Sequence, residues 1–264
     1  MNLKTVTVKI AGIYLWCLPV LSVPVLFLVK NNVSLPLFIT AVGLHLGLLA
    51  LALRFRLSAS GSTIGGKEQR ITAILLIVSA TLTFISATTF PGTDIARIAE
   101  NEFGHYWTSG GFFISAVISL VAFLYLYLML KRQIITSSHI AFLLVLIGTI
   151  LWLIHLLFRL TVMISVAGIL TDGGQIPELY PIANRLASSF YVIFMLFSYS
   201  ALAIFAYGLL QTDLLKKWVS RLVIIFSVLA MIGFSTGIMF FGMPITAELM
   251  PWLIGIMLIR HLDS

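Results

Sequence analysis

"AFLLVLIGTILWLIHLLFRL", residues 141–160, is a stretch in which only His155 and Arg159 can carry charge. At ~1.5 Å of rise per residue, a helix of this length covers the ~30 Å hydrocarbon core of a bilayer. Continuous apolar runs suit helices and not the alternating strands of a membrane barrel. The same character extends over the whole chain, with 60% hydrophobic residues, 9% charged residues and a mean hydropathy of +1.11. Soluble domains carry charge on about a quarter of their residues. The sequence predicts an all-α polytopic membrane helix bundle, a single integral-membrane domain over residues 1–264, with about eight transmembrane helices. The expected spans are 10–29, 34–54, 71–90, 108–130, 138–160 or beyond, 187–210, 219–241 and 246–260. Lys4 and Lys9 precede the first run as in a secretory signal. That run has no small-residue cleavage pattern and contains Pro19 and Pro24, so a retained helix is expected.

Orientation follows from the basic residues. Threaded eight times, the chain puts Lys4, Lys9, Arg54, Arg56, Lys67, Arg70, Lys131, Arg132, Lys216, Lys217, Arg221 and Arg260 on one side. The other side holds only Lys30, Arg97 and Arg185, together with Asp94, Glu100, Glu102, Asp172, Glu178 and Glu248. The positive-inside rule then places both termini in the cytoplasm, in what is expected to be a bacterial cytoplasmic membrane. The net charge of +7 is accounted for by this threading, and no nucleic-acid partner is expected. Among the loops, "RFRLSASGSTIGGKEQR" (54–70) reads as a Gly/Ser linker. "TDIARIAENEF" (93–103) has helical spacing with Thr93 as a plausible cap, so a short helix on the outer surface is expected.

Several chemistries fall by subtraction. All the lysines lie at predicted helix ends or in loops, which leaves none for a retinal Schiff base. Cys17 is the sole cysteine, so thiolate metal sites and internal disulfides are out, and it reads as small apolar filler. The Gly pairs beginning at 65, 110 and 173 match no phosphate-binding loop. "NVS" (32–34) is a glycosylation triplet pressed against a span and is given no weight. His45 and His155 are the two intramembrane candidates for haem ligands; His105, His139 and His261 fall at or near interfaces. At ~1.5 Å per residue, His45 lies near mid-membrane and His155 toward the outer third, an awkward offset for one haem. No covalent or metal cofactor is expected.

On this count Arg159 reaches the outer boundary of the hydrocarbon, and His155 sits one turn deeper on the same face. Snorkelling to headgroups would explain the arginine. The chain stays apolar through "LTVMISVAGIL" (160–170), however, so the helix can continue outward against protein, with Arg159 facing the bundle and needing a carboxylate. Glu248, one turn into the last span, is the expected partner, with Glu178 or Asp172 as second choices. Dipole stabilisation at a helix start would equally explain Glu248. The expected ligand-binding site is therefore an outward-facing pocket of His155, Arg159, Glu248, Glu178 and Asp172.

"KIAGIYLW" (9–16), "AYGLLQTDLLKKWVSRLVIIFSVLAMIGF" (206–234) and "AELMPWLIGIMLI" (247–259) resemble the corresponding stretches of the bacterial multi-pass family called domain of unknown function 4386. That resemblance implies a tyrosine-ended helix, a short basic loop, and a late Glu-Leu followed by Trp-Leu. Lys217 departs from it, standing where proline is common, and the family implies no activity. The leading expectation is a non-catalytic membrane protein that binds a lipid, an apolar small molecule or a membrane partner protein, or a second copy of itself. A small-solute transporter or channel is the alternative, followed by a haem-bearing or enzymatic subunit. A polar cavity near the midplane, lined by Ser, Thr and Tyr from two helices, would favour transport.

Overall fold

The computed structural model describes the backbone of residues 3–30, 35–59, 66–90 and 92–261, and the side chains of 6–21, 36–57, 66–90 and 92–260. The side chains of Lys4, Pro24, Lys30 and His261, and the whole of the 32–34 triplet and Gly65, lie outside the described residues. Ten α-helices follow in order: α1 Leu3–Lys30, α2 Leu35–Ala59, α3 Gly66–Ala87, α4 Ile95–Glu100, α5 Glu102–Leu130, α6 Ile135–Phe158, α7 Ile164–Thr171, α8 Tyr180–Leu210, α9 Lys217–Ser235 and α10 Pro244–His261. A π-helical turn, Arg159–Met163, joins α6 to α7, and a 3-10 turn, Met239–Gly242, precedes α10. No strand occurs among the described residues.

Among the described residues, six segments are long and apolar enough to cross a membrane: Pro36–Leu57, Gly66–Ala87, Glu102–Leu130, Ile135–Thr171, Tyr180–Leu210 and Lys217–Ser235. The chain is thus a helical, multi-pass integral membrane protein. In α6 the two environments read as two faces of one helix. Ile140, Leu143, Ile147, Ile150, Ile154 and Leu157 are exposed, while Ala141, Val145, Thr149, Trp152 and Leu156 are buried. An exposed apolar stripe of this length would be an aggregation hazard in water and is the normal condition in lipid.

The helices pack in the sequence α9, α8, α6, α5, α3, α10, and contact between α10 and α8 closes the circuit; α1 and α2 pair at the side of α3. α10 is apolar nearly all round and is the helix the others enclose. Leu253, Ile254, Ile256, Met257, Leu258 and Ile259 are all buried. It runs antiparallel to α3, with Gln69 donating from Nε2 to the Leu258 carbonyl (3.0 Å) and Gly255 set against the Ala73 carbonyl. Such close approaches are how helices bind one another in lipid, where burying apolar surface offers no gain.

Two sequence expectations change at the end opposite Lys67 and Lys131. The cap of α4 is Asp94 and not Thr93: its carboxylate accepts from the Ala96 amide at 3.1 Å. The seventh expected span, 219–241, stops at Ser235. Gly237, at φ 82°, takes the left-handed conformation that ends a helix, and Ile238 and Gly237 donate back to the Gly233 and Phe234 carbonyls. The chain then folds back along α9, with the Phe241 ring against Gly233 and 6.1 Å from that of Phe226, ten residues into the helix numbering from Lys217. Tyr191 and Tyr199 of α8 fasten this segment by donating to the Gly242 and Phe241 carbonyls. As a result α10 begins well inside the bundle.

Candidate functional site

Four helices present hydroxyls toward a common interior point. In α5, Ser115 and Ser119 share a face with Phe112, Ala116 and Phe123, at the three- and four-residue spacing that aligns helical side chains. Thr149 of α6, Ser198 of α8 and Thr83 of α3 face the same space, and Pro244, Ala247, Glu248 and Pro251 of α10 complete it. The cavity, partly open, measures about 40 Å³. That is room for a few waters at ~10–15 Å³ each.

Depth along the helices puts this cavity in the middle of the bundle. Counted at ~1.5 Å per residue from the ends bearing Lys131, Ile135 and Leu210, Ser119, Thr149 and Ser198 lie about 17, 21 and 18 Å in, against ~30 Å of hydrocarbon. Glu248 is therefore a mid-bundle carboxyl, where the sequence placed it only one turn inside the outer end of the last span. The fold-back at 236–243 is what carries it there.

The carboxyl is incompletely satisfied. Its neighbours are the hydroxyls of Ser119 and Ser79, and its Oε2 atom is fully enclosed with no hydrogen-bond partner. The Ser79 hydroxyl also bonds the Leu76 carbonyl (3.1 Å). Ser115 donates to the Ser79 carbonyl (2.7 Å), so the Thr83–Ser115 bond, also 2.7 Å, has Thr83 as its donor. No hydrogen bond links the hydroxyls of Thr149 or Ser198 to another described residue. Proline at 251 has no N–H, so the Ala247 carbonyl, four residues earlier and on the cavity wall, lacks its usual helical donor.

Arg159 belongs to a second polar cluster and not to this one. It is buried at 4% exposure, faces the bundle as the sequence suggested, and has no carboxylate partner among the described residues. Its partners among these are instead neutral: its Nη2 donates to the Gly92 carbonyl (3.2 Å) and to His105 Nδ1 (3.3 Å), its Nε reaches Ser109 Oγ (3.4 Å), and its guanidinium lies 5.0 Å from the centre of the Phe90 ring. His105 returns the contact: its Nε2 is 2.9 Å from the Arg159 carbonyl. A carbonyl can only accept, so Nε2 carries the hydrogen and Nδ1 is the acceptor for the guanidinium. His105 thus clasps both the side chain and the backbone of Arg159 at the π turn, a widened turn of the kind that recurs at functional positions.

The five residues of the expected outward-facing pocket are not brought together. Arg159 does not pair with Glu248, whose carboxyl lies among α3 and α5 hydroxyls, and Asp172 and Glu178 sit on the exposed 172–179 connection. A guanidinium can be buried without a carboxylate because a histidine ring, a carbonyl, a hydroxyl and an aromatic face together accept from it. His155 donates from Nδ1 to the Ala187 carbonyl (2.8 Å) and stacks on Trp152, whose ring borders the cavity. His45 meets Tyr14 in the α1–α2 pair instead, so the two intramembrane histidines lie in separate parts of the bundle. Among the described residues, no three His, Cys, Asp or Glu side chains converge on a point that could hold a metal ion.

The residues missed from the sequence are His105, taken for an interfacial residue, and the hydroxyl set. A signal for the second was present: Thr108, Ser115 and Ser119, spaced by seven and four, and Thr72, Ser79, Thr83 and Ser86, spaced by seven, four and three, each mark one helix face. No protein-family model, curated protein or solved structure matches this chain.

Proposed function

We propose that this chain is a membrane carrier for a small polar solute, bound in the cavity around Glu248. The supporting observation is a carboxyl at mid-bundle with an enclosed, unpartnered oxygen, facing hydroxyls from four other helices. Ionisable groups embedded in a membrane are expensive and characteristically mark substrate or ion pathways. A proline one turn beyond the carboxyl removes one backbone hydrogen bond inside α10, which otherwise runs unbroken from Pro244 to His261. On the positive-inside argument the chain crosses a bacterial cytoplasmic membrane eight times with both ends inside, its apolar outer faces in contact with lipid.

Carriers expose their site to the two sides in turn. With Cys17 replaced by Ala, a Ser198→Cys variant in oriented vesicles is expected to react with a membrane-impermeant maleimide added from either side. Reaction from one side only would reduce the protein to a binding module, and reaction from neither would dismiss the cavity as a site. The same reagent tests the threading: Asp94→Cys should label only from outside and Asp213→Cys only from inside. A thermal-stability screen of small cations, amines, carboxylates and sugars is expected to find a class that stabilises the wild type but not Glu248→Gln. A ligand at a hundred times its Kd contributes ~2.7 kcal/mol, well within detection. If only lipids stabilise the protein, and equally in both forms, the lipid-binding reading wins.

A further inference from the structure

We infer that the Glu248 cavity binds a desolvated monovalent cation of the size of Li⁺, Na⁺, K⁺ or ammonium, in exchange for one proton. The inference rests on the carrier reading and names its ligand class.

Charge decides the valence. Among the described residues the cavity is lined by one carboxyl and otherwise neutral oxygens, with no second acid or histidine. A lone carboxylate in these surroundings is costly, and the cost is removed by a single positive charge, either a proton on the carboxyl or a monovalent cation beside it. A divalent ion would leave one charge uncompensated at mid-bundle. Size decides the class. About 40 Å³ accommodates a bare alkali ion or ammonium with a water or two, but not a sugar, an amino acid or a quaternary amine.

The oxygens are of the right kind and in the right state. Glu248 Oε2 has no partner, Thr149 and Ser198 face the cavity without a partner among the described residues, and the Ala247 carbonyl has lost its helical donor to Pro251. A backbone carbonyl without its helical donor, together with carboxylate and hydroxyl oxygens, offers the kind of oxygen set that replaces the water shell of a small cation. Ser79 supplies the proton-loaded alternative. While its hydrogen is committed to the Leu76 carbonyl, its oxygen can accept from a protonated Glu248; once the proton leaves, the hydroxyl can turn and donate to the carboxylate. The exchange is balanced: Glu248–COOH and M⁺ give Glu248–COO⁻·M⁺ and H⁺, so the cavity is electrically neutral in both states.

The test uses the purified full-length protein in detergent, titrated with LiCl, NaCl, KCl and NH₄Cl at constant ionic strength against choline chloride, which is too large for the cavity. Trp152 borders the cavity, so its fluorescence and the thermal midpoint are both read. At least one of the four cations should stabilise the wild type over choline. Its apparent Kd should rise about tenfold for each unit of lowered pH, with about one proton released per cation bound in weak buffer. Glu248→Gln, the neutral isostere of the proton-loaded form, should fold and lose the response, and Ser198→Ala should weaken it about tenfold while keeping the pH slope. A cation effect that is independent of pH, or that survives in Glu248→Gln, overturns the exchange. Two-sided labelling of Ser198→Cys without any cation response overturns the cation while leaving the carrier reading intact.

Discussion

Arg159→Met is expected to destabilise the protein by about 3 kcal/mol, with the damage centred on the junction of α5, α6 and the 88–94 connection. Removing the guanidinium leaves His105 Nδ1 and the Gly92 carbonyl without their donor, and each buried polar group so abandoned costs roughly 1–3 kcal/mol. Ser109 can turn elsewhere, which moderates the total. Lysine should rescue little, because a single ammonium cannot present the fork that reaches Gly92, His105 and Ser109 together. Denaturation in detergent measures the loss, and double variants apportion it. Arg159→Met with His105→Ala should be non-additive by ~0.5–3 kcal/mol, since each removes the other's partner. Arg159→Met with Glu248→Gln should be additive within ~0.3–0.5 kcal/mol. Partial recovery in that second pair would restore the ion pair that the sequence suggested and would dismantle the separation of the two polar clusters.

The second large effect concerns the Gly110–Gly111 pair in α5. Gly111→Leu is expected to prevent folding, whereas Gly110→Leu should leave stability within ~0.5 kcal/mol of wild type. A Cβ at 111 would fall 1.9 Å from Ser86 Oγ and 2.8 Å from Ser86 Cβ, at the contact between α3 and α5, whereas a Cβ at 110 meets nothing within 4 Å. Rotating Ser86 cannot relieve the clash with its own Cβ, so the helices must separate. That would break the Thr89–Thr108 and Thr83–Ser115 bonds, both 2.7 Å. Even Gly111→Ala should cost ~1–3 kcal/mol, and Ser86→Gly should recover part of it. Yield of monodisperse protein and the denaturation midpoint report both variants. Equal behaviour at 110 and 111 would contradict the helix rotation on which the hydroxyl face of α5 depends.

Much of the architecture was legible because it is set by the solvent. Lipid offers no partner for a backbone amide, so a run such as 141–160 has to be helical whatever it packs against, and the apolar continuation after Arg159 correctly signalled a helix continuing against protein. Ile95 and Ile98 of α4 bury against Met163, Val166 and Ala167 of that continuation. Even so, composition does not show which face of a helix meets its neighbours when both lipid and protein are apolar. Trp152 and Ile154 are two residues apart and equally greasy, yet one borders the cavity and the other faces outward.

By itself, the sequence determined a helical membrane chain and, from the apolar run after Arg159, the expectation of an arginine facing the bundle. Tertiary structure alone decided the partners. Arg159 and Glu248 are the obvious opposite charges in a nearly chargeless chain, and Coulomb attraction makes them an attractive pair on paper. Their separation is fixed by main-chain geometry: the turn at Gly237 and the fold-back that follows sink the start of α10 toward Ser79 and Ser119, while the π turn at Arg159 holds the guanidinium to His105 and Gly92. Neither a fold-back nor a π turn leaves a strong mark on hydropathy, and in a membrane the depth at which a helix begins decides which charges can meet.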